Sequence, residues 1–301
     1  MKKILVACDL DNTLIHSYKY RREDDICVEI FKGREQGFIC KDAVKKLVLL
    51  NDKVEFIPIT TRSIEQYQRI QWEKMVVPEY ALTTNGAILL KNGVKDDVWL
   101  QESTRMVRKY QGELNRVLEF LEKEEEYIRC KFVDGMYVFL YCKDGVDIAK
   151  KVERYRERTI LHVVSSGRKI YFLPPEFNKG EALCRLKERF LPNYVVAAGD
   201  SEMDLPMMES ADFAFGKREI LGKNLRENRR IFTDENNLLD EIFDIVESIE
   251  EGSLDEDEIQ NFIFTCSTYL CIALSTGFTH EYWNAQKKYD LVIYDLSFFF
   301  V

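Results

Sequence analysis

Among the eight cysteines, at positions 8, 27, 40, 130, 142, 184, 266 and 271, there is no C-x-x-C pair, and no histidine stands nearby at zinc-ligand spacing. This excludes a zinc finger or ribbon and leaves reduced thiols as the expected state. Long basic runs are missing as well, and the net charge is −9. A nucleic-acid surface is therefore not expected, although a small anionic substrate can still meet a local basic pocket. Long apolar runs are equally scarce. The run in MKKILVACDLD stops after five residues, too soon for a signal peptide, and Thr, Ser, Gln and Asn interrupt Ile259 to Leu274 too often for a membrane span. A cytoplasmic protein with neither a nucleic-acid nor a membrane partner is the expectation.

What is present is enough chain to bury a sizeable core: 301 residues, 46% of them apolar, a length that favours two domains over one. Ile4-Leu5-Val6-Ala7-Cys8 suits a strand covered on both faces of a parallel sheet, and it leads straight into Asp9-Leu10-Asp11. Asp9 and Asp11 then project to the same side at the carboxyl edge of the sheet, where open α/β sheets bind ligands. Two close carboxylates want a cation, and magnesium suits them because it takes oxygen ligands and shares them with substrate phosphate. One carboxylate can then attack phosphorus while a second acid protonates the leaving oxygen. Taken alone, DLDNT also reads as an ordinary turn after a strand.

The rest of the chain bears on that choice. Residues Cys27 to Cys40 read as a hairpin around Gly33, and Asp42 opens a helix with apolar positions at Ala43, Val44, Leu47, Val48 and Leu50. Val54 to Ile59 is a second core strand, ending in Thr60-Thr61-Arg62, and Tyr80 to Thr83 a third, running into Asn85-Gly86. From about Val98 to Leu173 the pattern becomes helix-strand-strand, twice: a helix over 103–126 with strands 128–133 and 136–142, then a helix over 146–158 with strands 160–165 and 169–173. Asp134-Gly135 and Ser166-Gly167 supply the turns. Such a unit makes a small antiparallel sheet with helices on one face. Strand-helix alternation resumes at Asn178-Lys179-Gly180, with the strand Tyr194 to Ala198 ending in Gly199-Asp200-Ser201-Glu202-Met203-Asp204 and a helix over 236–249.

Three strand ends and one helix start thus carry Asp9 and Asp11, Thr60, Asp200 and Asp204, and Lys179, a set suited to holding and transferring phosphate. In this order the set resembles the four motifs of the haloacid dehalogenase superfamily, in the Cof-type and sucrose-phosphate-phosphatase-like group with a large cap between the second and third motifs. DLDNTL, Thr60 in IPITTRS, Lys179 in NKGEAL and GDSEMDLPMM carry the likeness, which spans about residues 1 to 248. The resemblance implies an α/β fold, a Rossmann-like parallel-sheet core with an inserted α+β cap. It implies that Asp9 is the nucleophile, that Asp11 is general acid then base, and that Thr60 and Lys179 hold phosphate. It further implies that Asp9, Asp200 and the Asp11 carbonyl ligate Mg2+, with Asp204 supporting. Thr61 and Arg62 stand where relatives usually carry Gly-Arg, and they join the expected substrate-binding set; Met203-Asp204 replaces the usual Asn-Asp.

The plainer readings are kept beside these. A strand-end threonine or a lysine before a helix is structural more often than not, and it is the joint occurrence that promotes Thr60 and Lys179. Arg62, Arg21, Arg22, Lys32 and Arg34 could face an anionic group of the substrate but read mainly as solvated, Cys8 as a small buried apolar residue, and His16, His162 and His280 as incidental. The expected domains are a core of 1–84 with 175–249, a cap of 85–174, and an accessory segment of 250–301 able to mediate a homo-oligomer through its apolar tail. The expected function is magnesium-dependent hydrolysis of a small phosphorylated metabolite, a sugar phosphate among the options, through an aspartyl-phosphate. A phosphomutase and an inert binding protein are the alternatives.

Overall fold

The apolar run Ile4–Cys8 forms β1, and all five of its side chains are buried. Such burial on both faces follows from its place inside a parallel sheet. A computed structural model of the chain describes residues 2–222 and 228–252. Residues 1–247 form one compact unit, and 248–301 fall in a second. After β1 come the short β2 (His16–Ser17) and a hairpin of β3 (Asp25–Phe31) and β4 (Arg34–Cys40). The hairpin turn uses Lys32 and Gly33, both at positive φ, the geometry that matches strand twist. Helix α1 (Lys41–Asn51) starts from Cys40 rather than Asp42. Asp42 lies in the first turn, where its charge favours the helix dipole. Then β5 (Glu55–Pro58), the short α2 (Ile64–Tyr67) and β6 (Tyr80–Thr83) follow.

The inserted region departs from expectation at its start. Strands β7 (Ile88–Lys91) and β8 (Val94–Lys95) continue from β6 as a three-stranded antiparallel sheet. The single helix expected over 103–126 is two helices, α3 (Asp97–Arg108) and α4 (Gln111–Leu121). α3 begins earlier than expected because Asp96 caps it by accepting from Trp99 N at 2.9 Å and the buried Trp99 indole donates to Gly86 O at 3.1 Å. The break falls at Lys109 and Tyr110, whose N–H groups tighten to Met106 O and Val107 O, three residues back. Beyond α4, β9 (Tyr127–Val133), β10 (Tyr137–Cys142), α5 (Ile148–Arg156), β11 (His162–Ser166) and β12 (Lys169–Leu173) realise the expected repeat. They build a four-stranded antiparallel sheet in the order β11-β12-β10-β9. On one face Val138, Leu140, Ile170 and Phe172 are fully buried, together with Leu114, Val117 and Leu121 of α4 and Tyr155 of α5.

The chain returns through α6 (Lys179–Phe190), β13 (Tyr194–Gly199), the short α7 (Leu205–Glu209), β14 (Phe213–Gly216), α8 (Arg218–Leu221), β15 (Arg229–Ile231) and α9 (Glu235–Glu251). The main sheet is parallel throughout, in the order β15-β14-β13-β1-β5. It buries Leu5, Ala7, Ile57, Val195 and Ala197 with Leu183 and Leu186 of α6. The result is an α/β, Rossmann-like core carrying an inserted α+β unit. No helix among the described residues is long and apolar enough to cross a membrane. The helix expected over 259–274 and the aromatic tail lie outside the described residues.

Candidate active site

Register brings the motif residues together. β1 lies between β13 and β5, with Cys8 opposite both Ala198 and Pro58, so the chain leaves all three strands on the same edge. Asp9, Thr60 and Asp200 stand there within two residues of the last paired positions. Asp9 and Asp204 are buried, and Lys179 at the start of α6 is 1% exposed. The Lys179 ammonium donates to Asp9 Oδ1 and to Asp204 Oδ1, each at 2.5 Å. Two glycines permit this closeness. A Cβ on Gly180 would lie 2.6 Å from Pro206 O, and one on Gly199 would lie 2.3 Å from Asp204 Cβ.

Asp204 has its capacity filled. Besides Lys179 on Oδ1, its Oδ2 accepts from Asp200 N at 3.2 Å, Ser201 N at 3.0 Å and Ser201 Oγ at 2.8 Å. It therefore shapes the loop that aims Asp200. Oxygens of Asp9, Asp200 and Asp204 lie within 4.8 Å of one another. Burial pushes the Asp9 carboxyl well above the usual carboxylate range, Lys179 opposes this, and Asp204 and Asp200 add to the rise. Burial and the charge of Asp204 likewise push Asp200 up to about 6. Three crowded carboxylates facing one ammonium retain negative charge, and an all-oxygen donor set of this kind fits a divalent cation. Thr13, which sequence reasoning passed over, directs its hydroxyl at Asp9 Oδ2 (3.4 Å) and Asp200 Oδ1 (3.5 Å). Its place inside DLDNTL was the available signal.

The Asp11 carboxylate stands apart from that cluster. Arg62 donates to it twice, Nε to Oδ2 at 3.0 Å and Nη2 to Oδ1 at 2.7 Å. Burial alone would raise the Asp11 pKa, but the charge and hydrogen bonds of Arg62 outweigh it and hold the group below the usual range. Arg62 also pairs with the buried Glu29 of β3 at 2.9 Å, and Arg69 meets the same carboxylate at 3.2 Å. The hairpin thus braces the residue that braces Asp11.

Thr60 is fully buried, and its Oγ1 accepts from Arg62 N at 3.1 Å. Thr84, Asn85 and Gly86 all have positive φ. Thr84 N donates to Arg62 O at 2.7 Å, and Asn85 N to Thr60 O at 2.9 Å. This turn fixes the backbone of 60–62 from behind. Thr61 faces the antiparallel sheet: its carbonyl accepts from Tyr137 Oη at 2.8 Å, and its side chain hydrogen-bonds Tyr171. Asp134, at the β9-β10 turn, accepts from Thr84 Oγ1 at 2.5 Å and Ile64 N at 3.2 Å. Of the other basic residues considered, Arg22 pairs with Glu235 and Asp25, and Arg21 with Glu35 at 2.8 Å. His16 is not a bystander: its Nε2 meets Asp25 Oδ2 at 2.7 Å and its Nδ1 lies 3.4 Å from Glu235 Oε1.

The family model described as sucrose-6F-phosphate phosphohydrolase matches residues 2–244 of this chain. The chain belongs to this family. It is an enzyme, a phosphomonoesterase hydrolase of the haloacid dehalogenase superfamily, in agreement with the motif reading. Among solved structures it is similar to a sucrose-phosphatase from Synechocystis sp. in complex with sucrose and phosphate, with a TM-score of 0.58 and 18% identity over 80% of this chain and 97% of that one. It is also similar to the C-terminal domain of C. albicans trehalose-6-phosphate phosphatase, with a TM-score of 0.55 and 15% identity over 82% and 92% of the two chains. A Thermoplasma acidophilum protein gives 0.55 and 15% over 82% and 99%. At these identities the likeness establishes the shared fold. A comparison with curated proteins finds no match.

Proposed function

We propose that this enzyme hydrolyses a small phosphorylated sugar through an aspartyl-phosphate on Asp9, with Mg2+ as its metal. The observation that carries the reading is the buried junction of Asp9, Lys179 and Asp204, with Asp200 beside it, at the carboxyl edge of the parallel sheet. An Asp9 oxygen attacks phosphorus in line and the bond to the leaving oxygen breaks. Asp11 gives that oxygen a proton. Water then attacks the phosphoryl group, Asp11 takes the water's proton, and phosphate departs from a regenerated Asp9. Lys179 and the Thr60 hydroxyl hold phosphoryl oxygens. Asp9, Asp200 and the Asp11 carbonyl are the proposed metal ligands, with Asp204 holding the loop of Asp200; bound there, the ion would neutralise charge on the phosphoryl group.

We read 1–84 with 175–249 as the catalytic core and 85–174 as the cap that meets the sugar. The contacts of Tyr137, Tyr171 and Asp134 with residues 61, 64 and 84 support that reading. The six described cysteines are free thiols, which suits a cytoplasmic setting. The test is phosphate release from para-nitrophenyl phosphate, sucrose 6F-phosphate, trehalose 6-phosphate and hexose phosphates, with magnesium and with chelator. Magnesium-dependent turnover that is lost in Asp9→Asn is the expected result. Turnover indifferent to chelator, or retained by that variant, would overturn it.

A further inference from the structure

The open face of the antiparallel sheet carries charge of one sign. Tyr137, Phe139 and Tyr141 share a face of β10 by strand alternation, and Tyr137 shows which way that face looks, since its hydroxyl reaches Thr61. Cross-strand pairing sets Lys131, Phe139 and Tyr171 in one row and Arg129, Tyr141 and Lys169 in the next. None of the four strands contains an acidic residue. Arg129, Lys131 and Lys169 are exposed, and none of their side chains has an ion-pair or hydrogen-bond partner among the described residues. Of the aromatic rings between them, Tyr141 carries the Arg168 guanidinium, which pairs with Asp144, and Tyr171 is buried, so the half-buried Phe139 is the ring on which a sugar can lie.

Lys169 shares its face of β12 with Tyr171, whose ring lies 6.1 Å from that of Tyr137, the residue whose hydroxyl reaches Thr61 next to Arg62. The charges that act most on Asp9 are Lys179, Asp204, Asp200 and Asp11. Lys169 acts instead on Asp11, the group facing the leaving oxygen, and on Arg62. The phosphoryl group already has Lys179 and Thr60, while Arg62 is saturated by Asp11 and Glu29. A sugar hydroxyl can accept from a single ammonium, but three clustered cations whose strands carry no acidic residue are matched better by an anionic group than by a neutral sugar.

We propose that Lys169, with Lys131 and Arg129 behind it, receives a second anionic group of the substrate, so that the substrate is a phosphorylated sugar bearing a further carboxylate or phosphate. This rests on the phosphatase reading above and names its substrate class. Two matched pairs test it in the full chain with magnesium: fructose 1,6-bisphosphate against fructose 6-phosphate for a phosphate, and 6-phosphogluconate against glucose 6-phosphate for a carboxylate. At least one doubly anionic member should have the higher kcat/KM, by about tenfold or more, the usual scale of a hydrogen bond to a charged group. Lys169→Met should collapse that ratio, and Lys169→Arg should keep it. No preference in either pair, or a Lys169→Met loss equal on both members of a pair, overturns the inference while leaving hydrolysis intact. Absence of turnover even with para-nitrophenyl phosphate would instead overturn the phosphatase reading, and this inference with it.

Discussion

Arg62 grips both oxygens of Asp11, at 3.0 and 2.7 Å, and is itself held by Glu29 at 2.9 Å. A carboxylate bound this way stays ionised to lower pH than a free one, which suits its duty as a base and opposes its duty as an acid. Replacing the guanidinium should raise the Asp11 pKa. Arg62→Ala is therefore expected to move the acidic limb of the kcat-pH profile to higher pH and to lower kcat by roughly 100-fold, the lower end of what one positioned acid-base group contributes. Arg62→Lys, which keeps charge but loses the fork, should fall between. A pH profile that does not move in Arg62→Ala would show that the arginine acts elsewhere.

Asp9→Asn should lower turnover by about a thousandfold or more while leaving the fold in place, because it removes the nucleophile at nearly constant volume. Lys179 keeps Asp204 as a partner in that variant. Phosphate release with a parallel thermal melt decides the matter, and near-normal turnover is the outcome that defeats the assignment.

How far sequence carried this picture can be judged residue by residue. Asp9, Thr60, Lys179 and Asp200 were legible because each follows an apolar strand or opens a helix, and the change from apolar to polar is written in order along the chain. The hairpins were legible from Lys32-Gly33, Asp134-Gly135 and Ser166-Gly167, where backbone chemistry is local. Glu29 was not, because it sits within a strand pattern and acquires meaning only when the hairpin folds against Arg62. Lys169 likewise reads as a hairpin flank until cross-strand pairing sets it on the face of Tyr137. The early start of α3 was not legible because Asp96 and Trp99 tie it to Gly86, a contact no periodicity reports.

His16 gives the fold a pH-dependent tie. Burial alone would lower its pKa, but hydrogen bonding to Glu235 and Asp25 outweighs this and raises it. A raised imidazole pKa contributes stability that is fully present below the unfolded value, roughly 6.5, and is lost as pH rises through the folded value. His16→Gln should accordingly lower Tm more at pH 5.5 than at pH 8.5. An equal loss at both would reduce His16 to a packing residue.

Asp200 shares the direction of that pH dependence by the opposite route, because here the charged form is the one the fold disfavours. Its folded pKa, about 6, lies above the unfolded value of roughly 4. Ionisation therefore costs the metal-free fold stability, and the cost grows as pH rises between those values. Asp200→Asn should raise Tm in chelator at pH 7.5, have little effect near pH 4, and abolish both the stabilisation by added magnesium and the turnover. Melts with and without magnesium at the two pH values provide the check. A lower Tm for this variant in chelator at pH 7.5 would mean that the carboxylate is a structural partner rather than a metal ligand.

The Lys179 ammonium pairs with two buried carboxylates at once, at 2.5 Å from each. Taking away one member of a buried ionic cluster costs more than the cluster contributes, because the remaining charges stay desolvated and unpaired. Lys179→Met should therefore destabilise the metal-free protein by roughly 3–5 kcal/mol. Asp204→Asn should also destabilise, since Asp204 Oδ2 holds Asp200 N, Ser201 N and Ser201 Oγ. In the double variant the methionine leaves one carboxylate fewer unpaired, so the combined loss should be smaller than the sum of the single losses. Urea denaturation of the four proteins in chelator measures that coupling directly. Strictly additive losses would mean that Lys179 and Asp204 do not act as a pair, and the ammonium would then serve phosphate binding without bracing the fold.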